Sequence, residues 1–106
     1  MKILNTCCVI LNYNDSSTTM KLVKSIINYK ILDYVVIVDN CSVDNSYEVL
    51  SELKSSKVHL LRTERNGGYG YGNNKGILYA YNELDAGYIL IANPDVEFDE
   101  QGISEL

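Results

Sequence analysis

Four short apolar runs constrain this chain more than any other feature: Cys7–Leu11, Tyr34–Val38, Val58–Leu61 and Tyr88–Ala92. Between them apolar residues recur at helical spacing. Met20, Val23, Ile26 and Ile27 mark a first helix, capped by Asp15 or Ser16 and running to about Tyr29; Val49, Leu50 and Leu53 mark a second; Ile77, Leu78, Tyr81 and Leu84 mark a third. Runs that are apolar throughout are buried on both faces. Strands of that kind joined by helices predict a parallel sheet with helices on both sides, wound by right-handed crossovers: a doubly wound α/β arrangement.

In such sheets the ligand crevice lies beyond the carboxyl ends of the strands. Each run here ends in polar residues. Asn12, Tyr13, Asn14 and Asp15 follow the first, and Asp39, Asn40 and Ser42 follow the second. The third leads into "RTERNGGYGYGNN", read as a long Gly/Asn loop with Asn73 and Asn74 capping the helix after it. Its glycines permit tight turns and close approach of backbone to a ligand. They do not form a dinucleotide fingerprint, because Gly68, Gly70 and Gly72 give G-x-G-x-G after the third strand, not G-x-G-x-x-G after the first.

Two carboxylates stand out. Asp39 ends a buried strand, where its direction is fixed, and suits a base-edge N–H or a ribose hydroxyl; satisfying loop amides is the plainer alternative. Asp44 reads as a helix cap. In "YILIANPDVEF", Pro94 fixes its own backbone and pushes Asn93 towards an extended one, so that Asp95 projects from a stiff turn at the sheet edge. One hard carboxylate there can hold Mg²⁺ or Mn²⁺ together with a diphosphate, or it can simply close a solvated turn. Asp99 and Glu100 read as helix-start residues.

Composition removes several classes. With 9 Lys and Arg against 14 Asp and Glu, the net charge is -5, and no basic cluster exists to neutralise a nucleic-acid backbone. The three cysteines cannot all pair with one another, and they read as small reduced residues near the core. The single histidine lies in a strand pattern, and there is no Cys-x-x-Cys, which argues against zinc. No segment approaches the roughly 18 apolar residues of a membrane helix. "MKILNTCCVIL" reads as a first strand rather than a leader, so a cytoplasmic setting is expected.

Four motifs in order, "CCVILNYN", "IVDNCSVDNS", "RNGGYGYGNNKGI" and "LIANPDV", resemble the nucleotide-sugar-binding half of inverting family 2 glycosyltransferases, most nearly the rhamnosyltransferase-like branch. The resemblance covers roughly Cys8 to Phe98. It implies a GT-A fold, truncated, with residues 1–106 forming the donor-binding part. The implied donor is a UDP- or dTDP-sugar, and the implied acceptor a glycan or lipid-linked glycan. Asn12, Tyr13 and Asn14 would then lie near the nucleotide, and Asp39 would contact the base with Asn40 and Ser42 beside it. Asn66, Gly67, Gly68, Tyr69 and Gly70 would form the loop at the sugar nucleotide, with Asn73 and Asn74 at the helix entry. Asn93-Pro94-Asp95 stands where the family carries Asp-x-Asp, making Asp95 the ligand of a divalent cation, Mg²⁺ or Mn²⁺. Asn93 replaces the first acid, which weakens or alters the need for metal. The general base and most of the acceptor site belong to later segments, so no catalytic residue is expected in this chain, and the full-length protein would work at the inner membrane face.

Two other readings compete. A sugar nucleotidyltransferase shares this sheet but places a Gly-rich basic loop after the first strand, where this chain has "NYNDSS". A non-catalytic nucleotide-binding or scaffold domain is compatible with Asn93.

Overall fold

The computed structural model describes residues 4–94. Seven elements alternate: β1 (Asn5–Asn12), α1 (Ser16–Ile26), β2 (Tyr34–Asp39), α2 (Ser46–Leu50), β3 (Val58–Arg62), α3 (Tyr69–Glu83) and β4 (Ala86–Ala92). The four strands form one sheet in the order β3-β2-β1-β4, and every pairing is parallel. The α/β class and the doubly wound parallel sheet expected from the apolar runs are the ones observed.

Alternation along the central strands explains why both faces are covered. Cys8, Ile10, Val35 and Ile37 point to one side, where Leu22, Val23 and Ile26 of α1 and Leu50 of α2 complete a core. Cys7, Val9, Val36 and Val38 point to the other, beneath Ala80 of α3 and Leu84. The chain winds outward from β1 to β2 to β3, then returns to place β4 on the other side of β1. The switch point therefore lies between β1 and β4, and the crevice opens at their carboxyl ends.

Three local expectations are corrected. First, α1 ends at Ile26 rather than near Tyr29; the chain turns there, with the Tyr29 N–H bonded to the Ile26 carbonyl at 2.9 Å. Asp15 holds the cap position without capping through its side chain, which instead accepts from the Thr18 hydroxyl at 2.9 Å. Secondly, the Gly/Asn loop is shorter than its composition suggests. α3 already begins at Tyr69, so Tyr69, Gly70, Asn73 and Asn74 are helical, and the cap position falls to Gly68 at φ +95°. The reason is packing. A Cβ on Gly76 would come within 2.5 Å of Val9 Cγ1 and 2.8 Å of Val38 Cγ2. Glycine here lets a helix lie close on the sheet; it does not mark a turn. Thirdly, Leu78 and Tyr81, read as apolar helix markers, are exposed.

Candidate functional site

The carboxyl ends of β1, β2 and β3 are held together by a buried polar network. Asn12 and Asp39 are register partners across β1 and β2, and Asp39 is in turn the register partner of Arg62 on β3. Asn12 Nδ2 donates to Asp39 Oδ1 at 3.0 Å, while Asn12 Oδ1 accepts from the Thr19 hydroxyl of α1 at 2.6 Å. Ser42 donates its hydroxyl to Asp39 Oδ1 at 2.5 Å and its N–H to Asp39 Oδ2 at 3.2 Å. Asn12 and Asp39 have no solvent exposure, and Ser42 has 2%. The network is fully paired, which is what makes a buried carboxylate tolerable.

A second hub sits beside it. Asn40 Nδ2 donates to Asn66 Oδ1 and to the Gly68 carbonyl, each at 3.1 Å, and Asn40 Oδ1 accepts from the Thr63 hydroxyl at 3.0 Å. Asn40 thereby fastens the β3–α3 loop to the end of β2. Asn14, in a left-handed conformation at φ 52°, ties the β1–α1 loop to the β2–α2 loop. Its N–H donates to the Ser42 hydroxyl at 2.8 Å, and its Oδ1 accepts from the Val43 N–H at 2.9 Å.

A surface strap closes the outer side of the same loop. Tyr71 donates its hydroxyl to Glu64, Arg65 lies over the Tyr71 ring at 4.3 Å, and Lys75 stands 3.9 Å from Glu64 Oε1. The Tyr71 bond holds the Glu64 carboxyl below its ordinary range and pushes the Tyr71 phenol above its own.

The residues singled out in the sequence therefore separate into two layers. Asn12, Asp39, Asn40, Ser42 and Asn73 form an enclosed floor, and Tyr13, Asn14, Asn66, Gly67, Gly68, Tyr69, Gly70, Asn74 and Asn93 form an exposed rim. Asp95 lies outside the described residues. Asn93, just after β4, is exposed. Asp39 is enclosed; Oδ1 accepts from two donors, and Oδ2 accepts from the Ser42 N–H with Arg62 Nε 3.7 Å away. Among the described residues no group of three or more His, Cys, Asp or Glu is placed to hold an ion.

Sequence reasoning missed Arg62. Its Nε lies 3.7 Å from Asp39 Oδ2, its Nη2 donates to the Ser42 carbonyl at 3.2 Å, and its guanidinium stands 5.2 Å from the centre of the Tyr47 ring. The signal was available: a basic residue ends β3 where an acidic one ends β2. At the opposite end of the sheet a groove of about 620 Å³ is lined by Asn5, Asn28, Lys30, Asp33 and Lys57 among others. Polar groups there are already engaged, with Lys57 Nζ donating to the Tyr29 carbonyl and Asp33 accepting from the Thr6 N–H.

A doubly wound parallel sheet with a buried Asn–Asp–Ser floor and a polar rim at the carboxyl ends of its strands defines an α/β domain with its polar edge on one side. The chain belongs to glycosyl transferase family 2, whose model matches residues 7–106. It is 34% identical over 98 residues to the low-salt glycan biosynthesis hexosyltransferase Agl10 of Haloferax volcanii, a match covering 92% of this chain and 30% of that protein. Its fold resembles the crystal structure of S. aureus TarS, with a TM-score of 0.78 at 18% identity, covering 96% of this chain and 31% of the other. The GT-A fold expected from the sequence is thus the fold found. The chain spans about a third of the length of each of these proteins. Among the described residues no helix is long and apolar enough to cross a membrane.

Proposed function

We propose that residues 1–106 are the donor-binding part of a glycosyltransferase that takes its sugar from a nucleoside diphosphate, UDP or dTDP, and passes it to a glycan or lipid-linked acceptor. One observation carries this reading. In a chain of family 2, the polar ends of two adjacent strands and the loop after the second are fused into one rigid floor, Asn12–Asp39–Ser42, beneath an open rim at the carboxyl edge of the sheet.

The division of labour follows from that geometry. The floor fixes the direction of the Asp39 carboxylate, whose Oδ2 accepts the Ser42 N–H alone and takes a base N–H. Tyr13 and Asn14 border the nucleotide, and Asn66 to Gly70 border the sugar diphosphate. The first turn of α3 turns its free N–H groups towards that negative charge. Asp95 and the exposed Asn93 amide would hold a divalent cation, which when bound would offset charge on the departing diphosphate.

In the whole protein an acceptor hydroxyl attacks the anomeric carbon from the face opposite the diphosphate. The new carbon–oxygen bond forms as the bond to the diphosphate breaks, the electron pair leaves with the diphosphate, and the proton passes to a base from a later segment. The protein would act at the cytoplasmic face of a membrane that carries its acceptor.

The test is a calorimetric titration of the full-length protein and its Asp95→Ala variant with UDP or dTDP, with and without Mn²⁺. Metal-enhanced binding that disappears in the variant is expected. The same enhancement in both proteins would remove Asp95 from the cation site.

A further inference from the structure

The segment that joins β3 to α3 is poorly suited, by composition, to holding one shape. Three of the five residues from Asn66 to Gly70 are glycine, the residue with the most backbone freedom to lose. Yet the segment is held on two sides. On the inner side Asn40 Nδ2 donates to Asn66 Oδ1 and to the Gly68 carbonyl, each at 3.1 Å. On the outer side stands the ring of Tyr71, from the first turn of α3. A Cβ on Gly67 would come within 2.5 Å of Tyr71 Cγ and 2.6 Å of its Cδ2. The positive φ of this segment belongs to Gly68, so Gly67 is not glycine for the sake of its backbone. It is glycine because the ring takes the space a side chain would need. Tyr71 also donates its hydroxyl to Glu64, and the Arg65 guanidinium stands 4.3 Å from the ring centre. The floor of Asn12, Asp39 and Ser42 makes its own bonds without Tyr71.

We propose that Tyr71 is a positioning residue for donor binding: pressed against Gly67 and tied to Glu64, it holds the Asn66–Gly70 backbone in readiness for the diphosphate. This rests on the donor-binding reading above. Without the ring, the glycine-rich backbone samples many states, and a ligand that needs one of them must bear the ordering cost. That cost falls only on ligands that reach this segment. A nucleoside without phosphate reaches the Tyr13 and Asn14 side of the edge and does not meet it. Tyr71 therefore governs the preference for a nucleoside diphosphate over its nucleoside, and leaves affinity for the nucleoside itself untouched.

Titration of the full-length protein with UDP and with uridine, followed by NMR at a fixed Mg²⁺ concentration, tests this. The variants are Tyr71→Ala, which removes the ring; Gly67→Ala, which drives a methyl into it; and Tyr71→Phe, which keeps the ring against Gly67. Thermal melting checks that each is folded. In Tyr71→Ala and Gly67→Ala the affinity for UDP should fall on the order of tenfold while that for uridine stays within about twofold, and Tyr71→Phe should keep most of the preference for UDP. An unchanged UDP-to-uridine ratio in Tyr71→Ala would overturn the assignment. So would an equal loss for both ligands, the mark of a general loosening of the fold. If the unmodified protein binds UDP no more tightly than uridine, the donor-binding reading fails and this role of Tyr71 falls with it, a result seen before any variant is made.

Discussion

Asn12 and Asp39, partners across two parallel strands, are joined by a 3.0 Å hydrogen bond from the Asn12 amide to the Asp39 carboxylate, in a place with no solvent exposure. The bond makes the ends of β1 and β2 a single rigid edge. Asn12 also accepts from Thr19, so one amide links two strands and a helix. Asn12→Ala leaves the buried Thr19 hydroxyl without its acceptor and removes one of the two donors to Asp39 Oδ1, and should lower stability by about 1–3 kcal/mol. Urea unfolding would read this as a lower midpoint at constant slope. A midpoint equal to that of the parent would mean the network contributes nothing net.

Glycines of α3 should behave oppositely at two positions. Gly76→Ala forces a methyl against Val9 and Val38, and overpacking of this kind should cost about 1–3 kcal/mol. Gly70 has no atom within 4 Å of an added Cβ, so Gly70→Ala should be neutral or stabilising by up to about 1 kcal/mol through helix propensity. Thermal melting of the two variants side by side decides the matter, and the reverse order would show that α3 does not lie on the sheet as described.

Thiol chemistry provides an independent probe of the core. Burial, with a lesser contribution from nearby Asp33, pushes the Cys7 thiol up to about 11, and burial, then Cys7 itself, pushes Cys8 up to about 12. Both stay protonated and enclosed at mild alkaline pH, whereas Cys41 is partly exposed. Titration with a disulfide reagent at pH about 8 should therefore release one equivalent quickly, and the remaining two only on unfolding. Rapid release of all three would contradict burial of the Cys7–Cys8 strand.

The Glu64–Tyr71 strap predicts a stability difference with two pH limits. The Glu64 carboxyl is lowered from 4.5 in the fold, so its contribution is present above that value and is lost as pH falls through the lower folded one. The Tyr71 phenol is raised from 10.0, so its contribution is present below that value and is lost as pH rises through the higher folded one. Melting temperatures of the parent and Tyr71→Phe should differ between these limits and converge outside them. A gap that is the same at every pH would assign the effect to packing alone.

Much of the fold was legible because burial on both faces leaves a simple mark. Tyr34–Val38 is apolar at every position, and β2 occupies Tyr34–Asp39. The boundary of α3 was not legible, because Gly70 and Gly72 read as loop residues by composition, while both lie inside α3, Gly72 packed against Leu11 and Asn40. At the site, the positions of Asn12, Asp39, Asn40 and Ser42 on one edge followed from topology. Their enclosure did not, since whether a polar side chain faces ligand or faces its neighbours depends on partners far away in sequence: Ser42 holds the N–H of Asn14, 28 residues earlier. Arg62 escaped notice for the same reason, because its meaning lies in a register with Asp39 that only the assembled sheet supplies.

The most direct test of the central claim is where a nucleotide lands on this chain. Backbone amide signals followed by NMR during titration with UDP should move for Tyr13, Val43, Asn66, Gly68 and Gly70, and stay still for Asn28, Lys30, Ser56 and Lys57 at the opposite end of the sheet. Perturbation centred on that opposite groove, with the Asn66–Gly70 signals unmoved, would contradict the account.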